Sequence, residues 1–94
     1  MPVDSSFAQG IDISKWNGVY KPYVKPVDFV IIKATDGLAQ DPRFFANMEI
    51  CKNVPVIGAY HYYRSQVGWL EQARNFLATA NGAHFLAVDY EHIN

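Results

Sequence analysis

The chain has a single cysteine, Cys51, so it holds no internal disulfide framework. Cys51 falls in an apolar helical pattern with Phe44 and Met48, which assigns it to packing rather than to nucleophilic chemistry. Long hydrophobic runs are missing as well. The longest are about five residues, far short of the roughly 20 that a membrane-spanning helix needs. No charge of one sign dominates: eight Lys and Arg stand against nine Asp and Glu, for a formal net charge of −1. The cations are scattered. There is no basic stripe for nucleic acid and no polybasic run for a membrane surface. Met1 to Gln9 lacks a basic stretch and a long apolar core, so no signal peptide is visible there. Internal repeats, low-complexity tracts and linkers are absent too.

What is present suits one small globular domain. The chain has 94 residues, half of them apolar, with two Trp, six Tyr and six Phe. That composition argues against disorder, although a core of this size is thin. Four short apolar runs recur, at Gly10 to Ser14, Asp28 to Lys33, Val54 to Tyr60 and His84 to Asp89. Phe29-Val30-Ile31-Ile32 and Phe85-Leu86-Ala87-Val88 are continuous rather than alternating, the habit of strands buried on both faces of a parallel sheet. Helical signals lie between them. Asp41-Pro42 is a helix start, with Asp as N-cap and Pro in the first turn. Phe45, Met48 and Cys51 follow at helical spacing, and Pro55 ends the segment. A second helix carries Trp69, Ala73, Phe76, Leu77 and Ala80 on one face, and Glu71, Gln72, Arg74 and Asn75 on the other. Asn81-Gly82 closes it. The connection from Trp16 to Val27 holds Pro22 and Pro26, so it admits at most a short helix. The alternation predicts an α/β fold of parallel β/α units with right-handed crossovers.

Polar residues gather where these strands end. Asp12 and Ser14 end the first; Lys33, Thr35 and Asp36 follow the second. Tyr60, His61, Tyr62, Tyr63 and Arg64 follow the third, and Asp89, Tyr90, Glu91 and His92 end the fourth. That edge is where parallel α/β folds build their sites. Asp89 and Glu91 are spaced i, i+2. On an extended strand such side chains share a face, with Cα atoms about 6.6–6.8 Å apart. Two carboxylates so placed divide into one proton donor and one anion, which is what glycoside hydrolysis uses. Asp12 lies between Ile11 and Ile13, where a carboxylate must face a polar pocket or cap a turn. Lys33 ends an apolar run and either pairs with a carboxylate or reaches water. His61 reads as a hydrogen-bonded core histidine before it reads as a base. Trp16, Tyr60, Tyr62, Tyr63 and Tyr90 suit a sugar groove or core packing.

Taken together these stretches resemble glycoside hydrolase family 25. They are Gly10-Ile11-Asp12-Ile13-Ser14-Lys15-Trp16, Asp28 to Gly37, Asp41-Pro42-Arg43-Phe44, Gly58-Ala59-Tyr60-His61-Tyr62-Tyr63-Arg64, Gln72-Ala73-Arg74-Asn75-Phe76 and Leu86-Ala87-Val88-Asp89-Tyr90-Glu91. The resemblance covers nearly every residue after Phe7. It implies the first half of a TIM-like β/α barrel of about four strands, one partial catalytic domain over residues 1–94, incomplete unless paired with another chain. It implies a muramidase that hydrolyses the β-1,4 bond between N-acetylmuramic acid and N-acetylglucosamine in the glycan strands of peptidoglycan. Glu91 would be the general acid/base. Asp89 would stabilise the transition state or orient the substrate acetamido group, and Asp12 would be a third carboxylate. Tyr62, Tyr60, Asp36 and Lys33 would contact substrate. No metal or organic cofactor, nucleic acid or membrane partner is implied. Without a visible leader, such an enzyme would reach the wall as a released phage endolysin or by another secretion route.

Two departures from the family pattern stand out. Asp36 follows Lys-Ala-Thr where the family commonly has Glu, one methylene longer. The family domain is also about twice this length, and its later strands, with a further acidic residue, are absent here. Bare first and fourth strand edges leave three readings: a half that pairs with itself or with a second polypeptide, a truncated muramidase keeping weak glycan binding, or a domain whose carboxylates bind a cation.

Overall fold

The computed structural model describes residues 10–15 and 27–91. Along the chain come β1 (Gly10–Ile13), β2 (Phe29–Asp36), β3 (Ala39–Gln40), α1 (Phe44–Ile50), β4 (Val56–Tyr62), α2 (Trp69–Thr79) and β5 (Phe85–Asp89). Four strands run parallel in the order β1-β2-β4-β5. This is the alternation expected from the sequence, with one addition. Asp36-Gly37-Leu38-Ala39 turns β2 back on itself, and the two-residue β3 pairs antiparallel with Thr35 and Asp36. Gly37 sits at the tip with φ +58°, a conformation that glycine adopts without strain. The first crossover, with Trp16, Pro22 and Pro26, lies outside the described residues, as does His92.

Register sorts the strand residues into two faces, because side chains alternate along each strand. Val30, Ile32, Ile57 and Ala59 point to the face that α1 and α2 cover, where Phe44, Cys51, Phe76 and Ala80 complete the core. Val30, Ile32 and Phe44 are essentially sealed from solvent; each such side chain stabilises the fold by about 1.5–3 kcal/mol. The opposite face carries Asp12, Ile31, Gly58 and Phe85 in one row, then Lys33, Tyr60 and Ala87, then Tyr62 and Asp89. Its floor is laid by two phenylalanines over glycines. A Cβ on Gly10 would meet the Phe29 ring at 2.3 Å, and one on Gly58 would meet the Phe85 ring at 2.3 Å.

Four local expectations change. β2 and β4 run further than the apolar runs, so Lys33, Thr35, Asp36, Tyr60, His61 and Tyr62 lie within the strands and not after them. The helix after Asp41-Pro42 starts at Phe44, and the N-cap position is Arg43 without a side-chain cap. Asp41 instead closes the turn before it: Oδ1 accepts from the Arg43 backbone N–H at 2.8 Å, and its carbonyl accepts from Phe44. Phe44 enters the core while Phe45 is exposed. In α2 the buried stripe is Gln72, Phe76 and Ala80, whereas Trp69 and Leu77 face solvent. Gln72 goes inside because its amide finds partners there, which is the condition for burying a polar group. Finally, β5 is an edge strand among the described residues, with Leu86 and Val88 exposed, not a strand buried on both faces.

Candidate active site

The site is built on the face opposite the helices, at the C-terminal edge of the parallel strands. Asp12 from β1 and Asp89 from β5 line one open pocket of about 310 Å³, together with Ile31, Tyr60, Ala87 and Val88. The first and last strands of the row therefore contribute carboxylates to a single cavity. Tyr60 stands between them. Its phenol is pushed up to about 12, first by burial and then by the charges of Asp12, Asp89 and Asp41, against a hydrogen bond with the Ser14 side chain. At neutral pH it is a hydroxyl donor set among carboxylates, not an anion.

Asp89 is the last residue of β5, and its carbonyl accepts from the Tyr63 backbone N–H at 3.0 Å, tying the ends of β4 and β5 together. Tyr90 and Glu91 lie beyond the strand, with the Tyr90 ring packed 5.4 Å from that of Tyr63. Glu91 is exposed and is not among the residues that line the pocket. It lies near enough to Tyr62 to help raise that phenol, after burial and ahead of Asp89 and Asp36, while Arg64 lowers it. So Asp12, Asp89 and Tyr60 come together in one pocket, and Glu91 lies outside its lining.

A second cluster borders the first. The ladder between β2 and β4 shifts after Lys33, leaving Ala34 as an extra residue on β2. Residues three apart on a regular strand face opposite ways; the bulge places Lys33 and Asp36 on the same side. Lys33 Nζ reaches Asp36 Oδ2 at 3.0 Å. Arg64 adds a two-pronged contact, Nε to Oδ1 at 2.6 Å and Nη2 to Oδ2 at 3.0 Å. The Arg64 bond, aided by Lys33 and opposed by burial, holds the Asp36 carboxyl at about 2. Both cations also flank Tyr62, with Lys33 Nζ 5.3 Å and the Arg64 guanidinium 4.5 Å from the ring centroid. The shorter Asp36 side chain thus still reaches its cations.

Behind this cluster His61 has a partner at each ring nitrogen. Gln72 donates to the carbonyls of Arg64 at 2.7 Å and Val67 at 3.0 Å, so its oxygen faces the other way. That oxygen accepts from the Arg64 backbone N–H at 3.0 Å and from His61 Nε2 at 2.8 Å. His61 Nε2 therefore carries the proton, and Nδ1 accepts from the Thr35 hydroxyl at 2.7 Å. The ring, stacked on Phe76, serves the core as expected. The roles of Gln72 and Arg64 were not legible in the sequence. Their partners sit on other elements, and only strand register reveals them. Among the described residues no group of three or more His, Cys, Asp or Glu is placed to hold a metal ion.

Comparison with known proteins bears on the family and the fold. Residues 11–94 match the family model of glycosyl hydrolases family 25. Lysozyme M1 of Streptomyces globisporus is 37% identical over 86 residues, covering 86% of this chain and 29% of that protein. The bacterial lysozyme of Streptomyces coelicolor superposes with a TM-score of 0.75 at 32% identity, over 93% of this chain and 45% of that one. A family 25 glycosyl hydrolase from Bacillus anthracis shares the fold, with a TM-score of 0.83 at 22% identity, over all of this chain and 47% of that one. The chain thus spans under a third of the curated relative and about half of the solved structures, and its sheet corresponds to part of their β/α barrel. It belongs to glycosyl hydrolases family 25.

Proposed function

We propose that residues 1–94 carry the first half of a muramidase catalytic domain, which cuts the β-1,4 bond after N-acetylmuramic acid in bacterial cell-wall peptidoglycan. The observation that carries this reading is the pocket shared by Asp12 and Asp89 beside Tyr60. Glu91 acts as general acid, protonating the leaving glycosidic oxygen, and then as general base toward water. Asp89 remains an anion; it stabilises the positive charge that develops at the anomeric carbon or aligns the substrate acetamido group for attack. Asp12 is the third carboxylate of the pocket. The Tyr60 hydroxyl supplies a donor to the sugar, and the Tyr62 ring offers a stacking surface. Lys33 and Asp36 border the groove beside it. The chemistry needs no cofactor.

Four parallel strands are half the number in a closed β/α barrel. A closed barrel takes four more strands, supplied by a continuation of the same polypeptide, by a second copy of the chain or by a separate polypeptide carrying the other half. The enzyme reaches the wall by release from a lysing cell or by secretion.

The test is Glu91→Gln in a peptidoglycan digestion assay. General acid–base catalysis is worth about 10²–10⁴-fold, so hydrolysis should fall by at least about 100-fold while the melting temperature holds. A large loss of stability instead would make Glu91 a structural residue.

A further inference from the structure

We infer that Arg64 is a positioning residue for Tyr62, and that Asp36 acts by holding Arg64 in place rather than by meeting the glycan. What Tyr62 then contacts rests on the muramidase reading; the clamp itself does not. Every polar contact of the cluster converges on one carboxylate. Asp36 Oδ1 takes Arg64 Nε, and Oδ2 takes both Arg64 Nη2 and Lys33 Nζ. A carboxylate with both oxygens on cations has little left for a sugar hydroxyl. The guanidinium it holds lies over the Tyr62 ring at 4.5 Å, a planar cation on an aromatic face.

The clamp is fixed from three further directions. Asp36 and Tyr62 are direct partners in the β2–β4 register, so carboxylate and ring start on one face. Gly37 makes room for the arginine stem, since a Cβ there would lie 3.1 Å from Arg64 Cγ. Buried Gln72 grips the Arg64 backbone at both its N–H and its carbonyl. The Arg64 side chain is 42% exposed, so this chain of contacts ends at the surface that borders the pocket. Its consequence is a ring with a set orientation beside Asp89, its direct partner in the β4–β5 register. A platform held this way loses less freedom when a pyranose stacks on it.

The test follows the Tyr62 ring by aromatic NMR, without ligand and during titration with chitotetraose. Arg64→Lys keeps the charge and removes the planar fork; Asp36→Asn removes the anchor. Both should shift the Tyr62 ring signals of the free protein while those of His61 and the Ile32 methyls stay. Both should weaken chitotetraose binding roughly two- to fivefold, the range of a surface cation–π contact. The double variant should be no worse than the weaker single, since one contact is lost in each. Asp36→Glu, which restores a carboxylate, should recover the wild-type ring signals. Unmoved Tyr62 signals in Arg64→Lys, or additive losses in the double, would overturn the inference. Failure of the wild-type protein to bind chitotetraose would count against the glycan-binding reading, and the free-protein spectra would still decide the clamp.

Discussion

Two stretches of this chain carry the same message in sequence and meet different fates in structure. Phe29-Val30-Ile31-Ile32 in β2 and Phe85-Leu86-Ala87-Val88 in β5 are both continuous apolar runs. Each begins with a phenylalanine lying over a glycine of the neighbouring strand, and each leads to carboxylates at its far end. Yet Val30 and Ile32 are 0% exposed, whereas Leu86 is 44% and Val88 63% exposed. The difference lies in the neighbours. β2 has β1 on one side, β4 on the other and helices over its back. β5 has β4 alone among the described strands. A strand's composition states what it needs to be buried; the elements around it decide whether it is.

The strongest way to break this comparison is truncation. Ile32→Ala should cost about 2–5 kcal/mol, enough to unfold much of so small a domain, while Leu86→Ala should cost under about 1 kcal/mol. Urea denaturation reads both, and equal costs would remove the distinction. Gly58→Ala probes the seating of the Phe85 ring over β4. Its methyl would collide with the Phe85 ring, so a loss of about 1–3 kcal/mol is expected. Phe85 signals should move while those of Phe29 stay.

A smaller effect separates the polar end of β2 from that of β5. The Asp36 carboxyl sits at about 2 in the fold against an ordinary 3.8. Between those values the unfolded chain binds more protons, so stability falls as the pH drops through that window. Above about pH 4 the contribution is fully present. Asp36→Asn should therefore lower the urea midpoint at pH 6 and do so much less near pH 2, where the folded carboxyl is half protonated. A difference of full size at pH 2 would assign the stabilisation elsewhere. The smallest effect on stability is expected from Val88→Lys, within about 0.5 kcal/mol. If β5 is the face that a second copy covers, this charge should abolish concentration-dependent sedimentation of the wild-type chain. Unchanged sedimentation would count against completion by a second copy.

Much of the fold was legible because local rules and tertiary context agree here. Short apolar runs between helical segments predicted the parallel sheet, and strand ends marked where polar residues gather. Legibility failed where a partner on another element decides the outcome. Gln72 reads as the polar side of a helix, yet it is buried because Arg64, Val67 and His61 satisfy its amide. Phe44 and Phe45 are adjacent and equally apolar; the turn that Asp41 closes before the helix sets which one faces inward. The Ala34 bulge, with no proline or glycine to announce it, is what brings Lys33 and Asp36 to one side. Asp12, Asp89 and Tyr60 were each legible as strand-end residues, and their meeting in one pocket follows from the register of the strands that carry them.

The most direct measurement is digestion of purified peptidoglycan by the 94-residue chain, with Glu91→Gln alongside, reading new reducing ends by mass spectrometry. New reducing ends should be N-acetylmuramic acid ends and should come from the wild-type protein and not from the variant. N-acetylglucosamine ends, or the same ends from both proteins, would contradict the assignment of a muramidase site to this sheet edge.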